Sequence, residues 1–144
     1  MTTPACSLCA GLGGALVFQG EKFRVVRADE AGFPAFYRVV WTPHVAEFSD
    51  LDLEDRNLCM AAVNGVEQAL RRHLQPTKIN LAALGNMVPH LHWHVIARFD
   101  WDSHFPAPVW ALAQRAGDAV RQQLVQAQLA LVEQAMTRQL TQLA

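Results

Sequence analysis

Short runs of aromatic and β-branched residues, broken by glycine and proline, alternate along this chain with two longer stretches whose apolar residues recur at helical spacing. Ala15-Leu16-Val17-Phe18 lies between Gly11, Gly13 and Gly14 on one side and a Gln-Gly-Glu-Lys break on the other, which predicts a short first strand. Phe23 to Ala28 and Phe36 to Trp41 repeat that character on either side of Ala31-Gly32-Phe33-Pro34, the pattern of a hairpin. The period then changes. Leu51, Leu58, Ala62, Val66 and Leu70, with Val63 and Ala69 beside them, keep helical spacing until Gln75-Pro76 stops it. Ser49 or Asp50 is the expected cap, and Asp52, Glu54 and Asp55 put acids at the positive end of the helix dipole. Lys78 to Leu84 and Leu91 to Phe99 return to strand character across Gly85-Asn86, with Pro89 at the strand entrance, where its missing N–H does least harm. From Val109 to Leu143 the chain reads as one long helix, or two broken near Gly117, with a wide apolar stripe suited to its own core or to a partner subunit.

A chain of 144 residues that is 51% hydrophobic can build one core unaided. Charged residues are 17% of the total and the net charge is −1, so no strong field draws it to a nucleic acid polymer or an anionic membrane. Any phosphate partner must be held locally. No apolar run approaches the roughly 18 to 20 residues that span a bilayer. The opening Met-Thr-Thr-Pro-Ala-Cys lacks the segments of a signal peptide, so a cytoplasmic location is the expectation. Three cysteines cannot all pair, and Cys6-Ser7-Leu8-Cys9 is spaced for a metal or a redox pair rather than a disulfide framework.

Three of the six histidines stand at i, i+2 and i+4 in His90-Leu91-His92-Trp93-His94. On a strand they share one face, and Leu91, Trp93 and Val95 point the other way into the core. The bland alternative is a polar face that happens to be rich in histidine. Imidazole is both a metal ligand and a nucleophile or general acid near neutral pH, which leaves two chemical readings. Side chains at i and i+4 are roughly 13 Å apart along a strand, so three such histidines rarely bind one ion. A linear array suits phosphoryl transfer better, with the central imidazole attacking phosphorus while its neighbours orient it and handle protons.

The segment Gly85-Asn86-Met87-Val88-Pro89-His90-Leu91-His92-Trp93-His94-Val95-Ile96 resembles the signature of the histidine-triad (HIT) superfamily, His-φ-His-φ-His-φ-φ with φ apolar. The resemblance extends over roughly residues 5 to 100: Cys-x-x-Cys, the hairpin, Pro43-His44 before the helix, and Asn80 on the strand ahead of the triad. Asp102, His104-Phe105-Pro106 and Trp110 look like a bacterial subgroup of diadenosine-polyphosphate hydrolases. The resemblance implies an α+β, HIT-like fold: an antiparallel sheet of about five strands, a covering helix and a long C-terminal helical segment. Residues 1–106 would form the HIT domain and 107–144 a helical extension. It implies a homodimer whose sheets join, and a nucleotide substrate cleaved at the α-phosphate through a nucleotidyl-histidine intermediate. By position His92 is the nucleophile, His90 and His94 hold its tautomer, contact phosphate oxygens or assist the leaving group, Asn80 and Asn86 hydrogen-bond phosphate or the active-site network, Arg98 pairs with phosphate or is solvated or salt-bridged, and Asp29 lies near the ribose. No cofactor is required for that chemistry, although Cys6, Cys9, His44 and His90 match a structural zinc site of some relatives.

Three departures bear on activity. Phe36 stands where many relatives have a fourth histidine, Asn86 and Met87 replace Gln and Ser or Thr, and Ala97-Arg98 replaces Pro-Arg. Loss of one preorganised donor costs on the order of a hundredfold in rate. A nucleotide-binding regulatory protein with little turnover, or a zinc-dependent hydrolase using the histidine strand directly, are the competing expectations. Trp41, Trp101 and Trp110 are candidates to stack a base, against the ordinary fate of aromatic residues in cores.

Overall fold

The computed structural model describes residues 6–143; the opening segment read for a signal peptide and the two ends of the expected domain ranges lie outside them. A single helical turn, α1 (Ser7–Ala10), leads into β1 (Ala15–Gln19), β2 (Phe23–Arg27) and β3 (Phe36–Trp41). The long helix α2 (Leu53–Leu74) precedes β4 (Lys78–Ala82) and β5 (His92–Arg98), and α3 (Ala119–Thr141) closes the chain. The five strands form one antiparallel sheet in the order β1-β2-β3-β5-β4, which makes the fold α+β and HIT-like.

The strand period divides the sheet into two unlike faces. Val25, Tyr37, Val39, Trp41, Val95, Ala97 and Ile79 face α2 and α3 and build the main core with Cys59, Val63, Val66, Leu70, Leu129 and Met136. Burial pushes the Cys59 thiol up to about 11, in keeping with a small core residue. Trp41 is in this core, and Trp101 stacks on Phe99 with ring centroids 4.8 Å apart, so neither is placed to take a base. The helices approach closely at Gly65, where an added Cβ would come within 3.2 Å of a Leu140 methyl. The opposite face carries His92, His94, Arg38 and Arg24, roofed by α1 and by the loop after β5.

Two boundaries differ from the sequence expectation. Asp52, not Ser49 or Asp50, caps α2, its carboxylate accepting from the Asp55 N–H at 2.8 Å. Ser49 and Asp50 belong to a separate 3-10 turn, Phe48–Asp50, closed by reciprocal bonds with Glu47. The second difference is larger, because residues 109–118 are irregular and the last helix begins only at Ala119 behind its cap Asp118. Val125, Leu129, Val132, Met136 and Leu140 of α3 pack into the main core. An Arg27–Glu133 ion pair and a Tyr37 hydroxyl donating to Glu133 at 2.9 Å fix that packing. No described helix is long and apolar enough to cross a membrane.

Candidate functional site

The register of β5 against β3 sets the site. Val40 is the partner of His92, Arg38 of His94 and Phe36 of Ile96, so the two strands present these six residues to one side. His92 and His94 line a cavity of about 530 Å³ with Ser7, Leu8, Gly13, Arg38, the loop 84–88 and Trp110. Asn86 is at its exposed lip, and Met87, where a hydroxyl donor was expected to be lost, is 95% exposed beside it. Trp110 meets His94 edge-on at 5.1 Å and Phe36 at 6.4 Å while remaining 52% exposed, so it forms a wall of the cavity.

Hydrogen bonds to carbonyl oxygens fix one protonated nitrogen in His92 and in His90. The Nδ1 of His92 lies 2.6 Å from the His90 carbonyl oxygen, which can only accept, so Nδ1 is the protonated nitrogen. In the neutral ring Nε2 then holds a free lone pair. For His90 the order is reversed: Nε2–H donates to the Trp41 carbonyl at 2.6 Å and Nδ1 holds the lone pair. His90 is fully buried, precedes β5, and does not line the cavity with its two neighbours. His94 is 6% exposed, and its Nδ1 has no partner among the described residues. Burial, helped by the positive potential of His92 and Arg38, pushes it down to about 4, so it is neutral at physiological pH.

The His90 lone pair points into a second cluster. Its Nδ1 is 3.4 Å from Cys6 Sγ, 3.5 Å from Cys9 Sγ and 3.2 Å from His44 Nδ1, and Cys9 Sγ is 3.3 Å from His44 Nδ1. All four ligand atoms lie within 4.8 Å of one another. A tetrahedral zinc with ordinary Zn–S and Zn–N lengths implies edges of about 3.3 to 3.8 Å. The four residues therefore fit such an ion. Burial would raise the Cys6 thiol, but hydrogen bonds from the Cys9 and Leu8 region and the nearby Arg24 outweigh it and hold the thiol below its usual range, while the hydrogen bond shared with Cys6 pushes the Cys9 thiol up. Burial lowers the His90 imidazole below its usual value.

The remaining residues expected at the site are not brought to it. Arg98 is 1% exposed, with Nε and Nη2 on the Asp102 carboxylate at 2.8 and 3.1 Å, Nη1 on Asn80 Oδ1 at 2.8 Å and Nη2 on the Ala107 carbonyl at 2.7 Å. Arg98 is thus salt-bridged and Asn80 belongs to its hydrogen-bond network, the second of the two roles the sequence offered each. Asp29 borders a separate cavity between the β2–β3 loop and the start of α3. Arg38, in contrast, lines the histidine cavity, and sequence reasoning missed it. Its signal is the cross-strand pairing with His94, which one strand read alone does not disclose.

A five-stranded α+β domain that sets two histidines of one strand into a cavity, beside four residues that could hold a metal ion, defines a class of histidine-strand proteins. The HIT domain model matches residues 13–101, and the chain belongs to the HIT family. A histidine triad protein from Bradyrhizobium japonicum is similar to it at 28% identity, with 90% of this chain and 92% of that one covered and a TM-score of 0.70. One from Marinobacter aquaeolei matches at 25% identity over 96% of each chain, TM-score 0.71. A zinc-bound histidine triad family protein from Mycobacterium smegmatis shares the fold at 20% identity, covering 90% and 94%, TM-score 0.56. No protein of curated function matches the sequence. HIT domain proteins in general are nucleotide-binding hydrolases and transferases.

Proposed function

We propose that this protein cleaves a dinucleoside polyphosphate or a nucleoside phosphoramidate at the α-phosphate, with His92 as the nucleophile. The observation that carries the reading is the 2.6 Å bond from His92 Nδ1–H to the His90 carbonyl, which leaves Nε2 as the ring nitrogen not engaged by the fold on a residue that lines the cavity. Nε2 attacks phosphorus, the P–N bond to His92 forms as the bond to the leaving group breaks, and the leaving group departs with the electron pair and takes up a proton. Water then displaces His92 from phosphorus, giving the nucleoside monophosphate and the free imidazole. His94, neutral and edge-on to Trp110, is the neighbour that contacts phosphate oxygens or the leaving group. His90 acts through its carbonyl, as a positioning residue, because both its ring nitrogens are engaged elsewhere. The apolar lining from Leu8, Leu84, Val88 and Trp110 suits a base or an apolar leaving group.

Cys6, Cys9, His44 and His90 would hold a structural zinc, which ties the N-terminal turn to the entrance of β5. Four protein ligands leave no open position on such an ion, and His90, engaged there and with Trp41, is not free to join His92 and His94 on a second one, which argues against a zinc-dependent hydrolase that uses the histidine strand directly. Chelation with release of one zinc per chain should lower thermal stability.

The test is to incubate the protein with adenosine phosphoramidate and diadenosine polyphosphates, following AMP by chromatography and the adduct by intact mass. An adenylyl adduct that requires His92, with AMP release lost in His92→Ala and His92→Gly, is the expected result. Nucleotide binding without adduct or AMP from any substrate would leave a binding protein instead.

A further inference from the structure

A nucleotide phosphate brought to His92 carries negative charge into a cavity with little to meet it. His94 is neutral, and the loop 84–88 supplies no cation. Among the described residues that line the cavity, Arg38 is the only one with a formal charge. It sits in the middle of β3, on the same face as the histidines and directly across from His94.

The hydrogen bonding of Arg38 separates it from its neighbours. Arg24, also on this face, donates three bonds to the carbonyls of Leu8, Gly11 and Leu12 at 2.7 to 3.0 Å, and Arg98 donates four. Arg38 donates one good bond, from Nη1 to the Gly13 carbonyl at 2.9 Å. Its Nη2 stands 3.5 Å from the carboxylate of Glu30, which is itself 46% exposed, and its Nε is buried with no partner. A guanidinium has five N–H donors in a planar fork, so most of its capacity is unspent in the fold. Phe36 lies 5.7 Å beneath the guanidinium and packs against His94, so the residue that replaces the expected histidine also supports the arginine.

We propose that Arg38 is the phosphate-binding residue of this site, its guanidinium fork taking two non-bridging oxygens of the phosphate that His92 attacks. The inference rests on the nucleotide reading above and names the group that replaces the hydroxyl donor lost at Met87. Planar bidentate pairing is the arrangement arginine makes best with phosphate. A dianion bound in this way displaces the single long contact to Glu30, which turns back to solvent.

The test compares AMP with adenosine, which differ only in the phosphate, by calorimetric titration of the protein, Arg38→Gln and Arg38→Lys, with circular dichroism as the check on folding. Arg38→Gln should weaken AMP by about 10- to 100-fold and Arg38→Lys by about 10-fold, with adenosine affinity unchanged. AMP affinity retained within about twofold in Arg38→Gln, or adenosine lost in parallel with AMP, overturns the role of Arg38. If Arg38→Gln does not fold, Arg38→Lys decides, and AMP affinity equal to that of the parent protein overturns the proposal. The adduct assay keeps the two readings apart. Parent protein that binds AMP through Arg38 but forms no adduct loses the catalytic reading alone, adduct formation with Arg38-independent binding loses the arginine alone, and no AMP affinity in the parent protein loses both.

Discussion

Arg38 and Arg98 lie on the same face of the sheet, on paired strands, and meet opposite environments. Arg98 is closed in: Asp102, Asn80 and Ala107 take its donors, and Asp102 in turn accepts from the backbone N–H groups of Phe99, His104 and Phe105. Burial alone would raise the Asp102 carboxyl, but Arg98 and those N–H groups outweigh it and hold it below its usual value. Arg38 is left with spare donors at the edge of a cavity. A saturated arginine belongs to the scaffold, and an unsaturated one is free to serve a ligand. Sequence places the two in similar apolar surroundings, Tyr37-Arg38-Val39 and Ala97-Arg98-Phe99, and only the partners brought in by the fold distinguish them.

The sharpest way to break this comparison is to remove one half of the closed pair. Asp102→Ala leaves Arg98 buried without its counter-charge and should lower the unfolding free energy by about 3 to 5 kcal/mol in urea titrations followed by tryptophan fluorescence. A cost near zero would mean that the network does not hold the loop.

Acid provides a second, smaller separation. His94 has its folded value near 4, below the ordinary 6.5, so between those limits the unfolded chain takes up the proton first. Stability should therefore rise with pH from about 4 to 6.5, and this slope should flatten in His94→Leu when unfolding midpoints are compared across that range. The Asp102 pair responds at lower pH: its contribution is complete above the ordinary carboxylate value of 3.8 and is lost as the pH falls through the lowered folded value. The smallest change is expected for Arg38→Gln, at less than about 1 kcal/mol in the same urea titration. A loss as large as that of Asp102→Ala would make Arg38 a second scaffold residue.

The legible parts of this molecule are those governed by local period. The strands and α2 follow from apolar spacing and from Gly and Pro breaks, and His92 and His94 share a face for the same reason. The irregular course of residues 109–118 was hidden behind an Ala-, Gln- and Leu-rich composition that favours helix. There the chain answers to tertiary demands, with the Arg115 guanidinium donating to the carbonyls of Asp102 and Phe105 at 2.7 and 2.6 Å and its backbone N–H donating to the Ser103 carbonyl at 3.1 Å. Arg38 and the turning of His90 away from its neighbours depend on cross-strand register and on the N-terminal turn. Neither is a property of a single segment.

The anchoring of the loop after β5 has a consequence for how such proteins diversify. Arg98 and Asp102 hold its base from beneath and Arg115 clasps its far end, while Trp110 projects between these anchors onto His94. Residues around Trp110 can then be exchanged without disturbing the strand that carries the nucleophile, because the attachment points lie outside the exchanged stretch. Inheritance can keep the reacting imidazole constant while the wall beside it is rewritten, so new substrate preferences arise by grafting a short segment rather than by rebuilding a domain.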